Sequence, residues 1–110
     1  MKIAIVGSRD LKDVALDQYI SEDAKEIVSG GAAGVDFCAA QFAKRKGLKL
    51  TEFLPQYERY GRAAPIIRNK EIVDYADRII VFWNGASKGT LSVIQYAKKL
   101  QKPLVVILCK

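Results

Sequence analysis

Five short apolar segments alternate with helical patterns along the chain, and this alternation constrains the fold more than any other feature of the sequence. The apolar segments are Lys2 to Val6, Glu26 to Ser29, Lys49 to Leu54, Ile79 to Trp83 and Leu104 to Leu108. Strands separated by helices at this spacing are joined by right-handed crossovers, which give a parallel sheet covered on both faces. The sequence therefore predicts an α/β fold with a five-stranded parallel sheet in the order 3-2-1-4-5.

Four helices complete this Rossmann-like three-layer sandwich. Apolar residues recur at helical spacing over Leu11 to Ile20, Ala33 to Lys46, Ile66 to Ala76 and Gly89 to Leu100. Gly47 is expected to end the second helix in a left-handed cap. The stretch between Pro55 and Pro65 has no period, so the longest irregular segment is expected there. With 110 residues and no linker or repeat, the chain is predicted to form one domain.

Composition restricts the chemistry that this chain can perform. It contains no histidine, which excludes Ser-His and Cys-His nucleophile pairs and His-ligated zinc, and no metal site is predicted. Cys38 and Cys109 lie far apart and are predicted to be buried, reduced thiols. No apolar run approaches the roughly 20 residues of a membrane span, and Met1 leads directly into a strand. We therefore expect a cytoplasmic protein with no membrane partner.

The net charge of +6 favours anionic partners. Basic residues are densest in two clusters, which are Lys44, Arg45, Lys46 and Lys49, and Lys98, Lys99 and Lys102. Both clusters lie at predicted helix ends, where cations complement the helix dipole. Solvated helix termini therefore explain the clusters better than a nucleic-acid surface does.

The first turn, which we define as Ser29 to Asp36 (SGGAAGVD), joins the second strand to the helix that follows it. Such a turn directs unpaired N–H groups and the positive end of the helix dipole at whatever lies above it, which favours an anion. Gly30 and Gly31 are predicted to take positive φ, and Gly34 removes a side chain where helix and ligand would crowd. Tight strand-to-helix turns also favour glycine for structural reasons, and this stretch alone does not separate the two interpretations.

The second turn, which we define as Trp83 to Thr90 (WNGASKGT), repeats this layout. In a parallel sheet both turns lie at the carboxyl edge, beside the end of the first strand. Two helix N-termini at one crevice favour a phosphate together with a sugar or a base. The predicted binding residues are Gly7, Ser8, Arg9, Ser29, Gly30, Gly31, Ala32, Gly34, Asp36, Arg68, Asn69, Trp83, Asn84, Gly85, Ser87, Lys88, Gly89 and Thr90.

Several of these residues have a structural alternative to ligand binding. Ser87 and Thr90 either donate hydroxyl hydrogen bonds to a ligand or cap the helix, and capping is expected for one of them. Trp83 either stacks on a base or packs in the core, and core packing is favoured. Arg9 and Lys88 either supply charge or are solvated. Because neither turn fits the P-loop or the GxGxxG fingerprint, the pattern indicates a nucleotide-like anion rather than a standard ATPase or dehydrogenase.

Four segments in register resemble the SLOG superfamily. They are Ile5 to Arg9 (IVGSR), the first turn, Pro65 to Asp77 (PIIRNKEIVDYAD) and Gly85 to Thr90. This superfamily unites the Smf/DprA DNA-processing proteins with the Lonely Guy cytokinin-activating phosphoribohydrolases, and its short YspA-like members are the most similar to this chain. The resemblance implies a Rossmann-like sheet and a nucleotide or nucleotide derivative as ligand. Beyond this ligand, no cofactor is predicted.

The resemblance also bears on catalysis. In the Lonely Guy enzymes an Arg stands nine residues before an Asp that precedes the fourth strand, and Arg68 and Asp77 reproduce this spacing. Those enzymes then carry PGGxGTxxE, whose Glu assists cleavage between base and ribose phosphate. Here GAS replaces PGG and Val93 replaces the Glu. Arg68 is thus the candidate catalytic residue, with Asp36 or Glu71 as substitute carboxylates, although a helix N-terminus tends to lower the pKa of Asp36.

Three functions follow as hypotheses. The first is binding, for sensing or processing, of a nucleotide-derived small molecule, with backbone N–H groups on the phosphate and Trp83 or Tyr60 against the base. The second is N-glycosidic hydrolysis of nucleoside monophosphates. The third is single-stranded nucleic-acid binding of DprA type, with stacking and charge from Tyr57, Arg59, Tyr60 and Arg62. That loop is otherwise a lid or a surface connection. A homodimer is expected, because relatives commonly associate through their helices.

Overall fold

The five predicted strands form one parallel sheet in the computed structural model of the chain, which describes residues 1–11, 14–31 and 33–109. The strands are β1 (Lys2–Gly7), β2 (Glu26–Ser29), β3 (Lys49–Glu52), β4 (Arg78–Trp83) and β5 (Leu104–Leu108). Their order is β3-β2-β1-β4-β5, and each neighbouring pair is parallel. The predicted sheet and its order are confirmed.

Side chains of the central strands alternate between the two faces of the sheet. Ile3 and Ile5 of β1 lie in one apolar core, whereas Ala4 and Val6 lie in the other. All four are buried. A strand that is covered on both faces needs apolar residues at successive positions, which is why β1 reads as a continuous apolar run instead of an alternating one.

Helices cover both faces of the sheet. The helix α1 (Val35–Lys46) packs against the core that contains Ile3 and Ile5, and it ends at Gly47 with φ 68°. The helices α3 (Ala64–Tyr75) and α4 (Lys88–Lys99) pack against the core on the opposite face. The three-layer sandwich and the left-handed cap at Gly47 are therefore confirmed.

The helix predicted over Leu11 to Ile20 is wrong for the residues that the structure describes there, which are 11 and 14–20. Leu16 is nevertheless buried in the core beside α1, and Tyr19 packs edge-to-face on Phe82 with ring centroids 5.5 Å apart. A helix this short is marginal on its own. Packing of these side chains on the core therefore decides the local structure.

The irregular segment predicted between Pro55 and Pro65 is also wrong, because most of it is helical. It contains the short helix α2 (Tyr57–Tyr60), a 3₁₀ turn (Gly61–Ala63) and the beginning of α3. Pro65 lies in the first turn of α3, where proline is tolerated because the missing N–H has no intrahelical partner in any case. Pro65 thus helps to begin the helix instead of marking a loop.

The basic cluster at the end of α1 is partly neutralised. Arg45 contacts the Asp17 carboxylate at 2.5 Å, and the Lys46 ammonium lies 3.7 Å from the same carboxylate. All three side chains are exposed. These contacts support the interpretation of the cluster as a solvated helix terminus.

Cys38 and Cys109 are free thiols, and both are half-buried rather than fully buried as predicted. Cys38 lies in α1, and Cys109 follows β5. Across the described ranges of the chain, no helix has both the length and the apolar character that crossing a membrane requires.

Candidate functional site

A cleft of about 440 Å³ lies at the carboxyl edge of the sheet, where β1, β2 and β4 end. Three loops and one face of α3 form its walls. Such an edge is the usual ligand position in parallel α/β sheets. A larger apolar cavity of about 670 Å³ lies between α1 and residues 14–17, and Gly34 is the predicted site residue that lines it.

Most of the predicted binding residues meet in the cleft. Those that line it are Gly7, Ser8, Arg9, Gly30, Asp36, Arg68, Asn69, Asn84, Ser87, Gly89 and Thr90. Those that lie outside its lining are Ser29, Gly31, Gly34, Trp83, Gly85 and Lys88. Ala32 lies outside the described residues. The structure thus brings together residues from both glycine turns, the end of β1 and α3.

Four lining residues were not predicted from the sequence, namely Val6, Asp10, Pro65 and Ile72. Two of them share a face of α3 with Arg68, because Pro65 lies three positions before it and Ile72 four positions after it. Residues at this spacing lie on the same side of a helix. Helical spacing from Arg68 could have identified Pro65 and Ile72, and Asp10 simply extends the loop that contains Arg9.

Arg68 connects α3 to the ends of two strands. Its Nη1 donates to the carbonyl oxygen of Gly30 at 2.8 Å and, at a longer 3.4 Å, to that of Phe53. Its Nε donates to Asn69 Oδ1 at 2.9 Å. Burial lowers the pKa of the Arg68 guanidinium, and the nearby Asp36 carboxylate opposes this effect. An arginine keeps its charge under such shifts, so Arg68 is a buried cation that the protein itself holds in place.

Glycines of the first turn make room for other parts of the protein. A Cβ on Gly30 would lie 2.5 Å from Arg68 Nη1, and a Cβ on Gly34 would lie 2.5 Å from the carbonyl oxygen of Arg9. Positive φ occurs at Gly31 (69°) and Gly34 (74°), whereas the positive φ predicted for Gly30 is wrong. The groups that approach the backbone closely at this turn therefore belong to the protein itself.

The second turn is built around Asn84 and Ser87. Asn84 Oδ1 accepts hydrogen bonds from the N–H groups of Ala86 and Ser87, both at 2.8 Å. Ser87 is the N-cap of α4, and its Oγ accepts from Thr90 N at 3.3 Å. Capping was expected for either Ser87 or Thr90, and Ser87 is the residue that caps α4. A Cβ built on Gly89 would have no heavy atom within 4 Å, so the space beside Gly89 is open.

Trp83 has a structural role beside this turn. Its Nε1 donates to the carbonyl oxygen of Ser87 at 3.1 Å, and its ring packs against the core under α3 and α4. Core packing, the alternative favoured for Trp83, agrees with these contacts.

A hydrogen-bond network joins the loop after β1 to the second turn. Asn84 N donates to Ser8 Oγ at 3.2 Å, and Asn84 Nδ2 donates to both oxygens of the Asp10 carboxylate at 3.0 and 3.2 Å. Ser8 is buried, and its N–H donates to Phe82 O at 3.1 Å. These bonds fix the floor of the cleft and place the Asp10 carboxylate at its rim.

The charges in the cleft are mixed. Arg9 and Arg68 supply cations, whereas Asp10 and Asp36 supply carboxylates. The two helix N-termini also differ, since the first turn of α1 contains Asp36 and the first turn of α4 contains no acidic residue. An anion is therefore favoured at the N-terminus of α4, and hydroxyl groups are favoured near the carboxylates.

Arg68 and Asp77, paired by the resemblance, lie at opposite edges of the sheet. Asp77 precedes β4 at the amino edge, where its Oδ2 accepts from Lys2 N at 2.8 Å. Val93, which occupies the position of the Lonely Guy Glu, is buried in the core. Glu71 does not line the cleft. Of the predicted acid or base candidates, Asp36 is the one that lines it.

The segment from Tyr57 to Arg62 does not line the cleft. Tyr57 is exposed, and the guanidinium of Arg59 lies 5.1 Å from the centroid of the Tyr60 ring. No group of metal-binding side chains occurs among residues 1–11, 14–31 and 33–109.

The chain was compared with protein-family models, with curated proteins and with solved structures, and it matches none of them. The resemblance to the SLOG superfamily therefore stays a prediction that depends on the four sequence segments.

Proposed function

We propose that this chain binds a nucleotide-derived small molecule in the cleft at the carboxyl edge of the sheet. The observation that carries the proposal is the open N-terminus of α4 at Gly89, which faces a cleft that also contains Arg9 and Arg68. The cleft volume of about 440 Å³ falls within the range of small-molecule sites.

The phosphate is assigned to the N-terminus of α4. The first N–H groups of a helix have no intrahelical acceptor. In α4, the backbone N–H of Thr90 donates to Ser87 Oγ. This leaves the N–H group of Gly89, which lines the cleft, for an anion. The absence of a side chain at Gly89 permits close approach of a phosphate oxygen to the backbone.

The remainder of the ligand is assigned to the opposite wall. Carboxylates accept hydrogen bonds, so Asp10 and Asp36 suit the hydroxyl groups of a sugar. Val6, Pro65 and Ile72 add apolar surface for a base. A phosphate at one end, hydroxyl groups along one wall and an apolar contact match the parts of a nucleotide.

Binding is proposed in preference to hydrolysis. The Glu that assists cleavage in the Lonely Guy enzymes has no counterpart in the cleft, since Val93 at its position is buried. Asp77 lies at the amino edge, so Arg68 is the position carried over from those enzymes that lines the cleft. Asp36 lies in the first turn of α1, where its carboxylate complements the helix dipole.

A thermal-shift panel with AMP, ADP-ribose, NAD, cyclic nucleotides and inorganic phosphate tests the proposal. A ligand at a hundredfold excess over its Kd stabilises the native state by about 2.7 kcal/mol, which raises Tm by roughly 10 °C in a domain of this size. A shift for one nucleotide, confirmed by calorimetry, supports the proposal. A flat response to the whole panel at millimolar concentrations contradicts it.

A matched pair of variants locates the site. Gly89→Leu adds bulk where the structure has open space, so the protein should fold and lose the nucleotide-induced shift. Gln95→Leu places the same leucine side chain on the exposed side of the same helix, outside the cleft, and should keep the shift. An unchanged shift in Gly89→Leu would place the ligand elsewhere.

A further inference from the structure

The two edge strands of the sheet differ in the protection that they have against pairing. β3 reads KLTE, and two of its four residues are charged. β5 reads LVVIL and contains no charged or polar residue, although Val105, Val106 and Leu108 are 41%, 41% and 54% exposed. Edge strands are usually protected by charge, by proline or by a covering segment. β5 has neither charge nor proline, so a covering segment is the remaining means of protection.

The backbone of β5 shows which groups are available for that strand. Ile79 N donates to Pro103 O at 2.9 Å, and Cys109 N donates to Trp83 O at 2.7 Å. Because a strand alternates with a period of two, positions 105 and 107 also direct their N–H and C=O groups at β4. Leu104, Val106 and Leu108 therefore present theirs to the outer edge.

We propose that β5 pairs with β5 of a second copy of this chain, antiparallel, about a twofold axis at Val106. In this register Val106 faces Val106 of the second copy, and Leu104 faces its Leu108. Each of these positions presents outward N–H and C=O groups, so each is a hydrogen-bonded pair. Val105 then faces Ile107. Every cross-strand contact is apolar, which no register with the charged strand β3 achieves.

Symmetry favours a closed dimer over a longer assembly. The Lys102 ammonium, just before β5, donates to Ala76 O at 2.6 Å and Asp74 O at 3.1 Å, which holds it at the end of α3. The symmetric pairing uses the same edge of both copies and leaves the charged β3 strands at the two ends of a ten-stranded sheet. A closed dimer, rather than a filament, is the outcome of such an isologous contact.

The expected dimer is weak. A single pair of edge strands buries less than the roughly 800 Å² per partner of a standard interface. Each copy carries a net charge of +6, and Lys98 and Lys99 are exposed at the end of α4, so the copies repel at low salt. The consequence is a weak dimer that salt strengthens.

Sedimentation velocity from about 10 μM to 1 mM protein, at low and at high salt, tests the proposal. The expected result is a monomer–dimer equilibrium that shifts toward dimer with concentration and salt. Val106→Lys places two like charges opposite each other and should raise the dimer Kd about tenfold or more. The matched change on the other edge, Leu50→Lys, should leave the Kd unchanged.

Hydrogen exchange gives a second measurement that does not depend on a variant. Amide protons of Leu104, Val106 and Leu108 should gain protection as concentration rises, whereas those of Val105 and Ile107 should be protected throughout. A monomer at every concentration, growth beyond the dimer, or equal effects of Val106→Lys and Leu50→Lys would each overturn the proposal.

Discussion

The two glycine turns at the carboxyl edge have similar sequences and opposite surroundings. At the first turn, the space beside Gly30 holds the Arg68 guanidinium, and the space beside Gly34 holds the Arg9 backbone. At the second turn, the space beside Gly89 is open. A glycine in a strand-to-helix turn therefore indicates that something approaches the backbone closely, but only the tertiary structure shows whether that is the protein or a ligand.

The two turns also differ in charge, and this difference again leaves the second turn available to a ligand. Asp36 occupies the first turn of α1, and the first turn of α4 has no acidic residue. A carboxylate at a helix N-terminus already uses the positive end of the dipole, so a second anion gains less there. The positive end of the α1 dipole is therefore neutralised by a residue of the chain itself, whereas the positive end of the α4 dipole remains available to a ligand.

Among the variants that test this comparison, Gly34→Ala should produce the largest loss of stability. The new Cβ would lie 2.5 Å from a backbone oxygen at a φ of 74°, so unfolding free energy should fall by about 3 kcal/mol. Gly47→Ala is the control, because Gly47 has φ 68° and no neighbour within 4 Å, and it should cost about 1 kcal/mol. Urea denaturation measures both, and equal losses would mean that crowding at the first turn is unimportant.

Arg68→Ala should produce a smaller effect. It removes the hydrogen bond to Gly30 O and one partner of Asn69, so stability should fall by about 2 kcal/mol even without ligand. The exposed Arg62 serves as control, since Arg62→Ala should change stability by less than about 0.5 kcal/mol. If Arg68→Ala is as stable as the natural protein, the interpretation of Arg68 as an internal cation is wrong.

Gly89→Ala should give the smallest change and the opposite sign. Alanine stabilises a helix relative to glycine by about 0.5 to 1 kcal/mol, and the added Cβ meets no neighbour. Thermal denaturation should therefore show a slightly raised Tm, while nucleotide binding weakens. A loss of stability would show that the second turn is as crowded as the first.

The sheet was predictable because a parallel sheet covered on both faces leaves few strand orders for these five segments. The local errors have one source, which is that side-chain contacts override short-range pattern. Leu16 reaches the core from a turn, and Pro65 begins a helix that its neighbours continue. Sequence period alone carries no information about either contact.

The site was predictable to the extent that it follows from topology. Every strand of a parallel sheet ends at the same edge, so Ser8, Gly30 and Asn84 were expected to meet, and they line one cleft. What each residue contacts was not predictable. The orientation of Arg68 toward Gly30 O depends on how α3 packs, and the core position of Trp83 depends on the packing of α3 and α4.

The pairing of β1 with β4 has a consequence for how the chain folds as it is made. Lys2 and Asp77, which hydrogen-bond where the two strands begin, are 75 positions apart. Contacts of such sequence separation slow folding, because a long loop must close before they form. During synthesis, the edge of β1 that pairs with β4 stays unpaired until β4 has left the ribosome. A chain that stops before Trp83 lacks part of the central strand pair and should be degraded as an unfolded polypeptide.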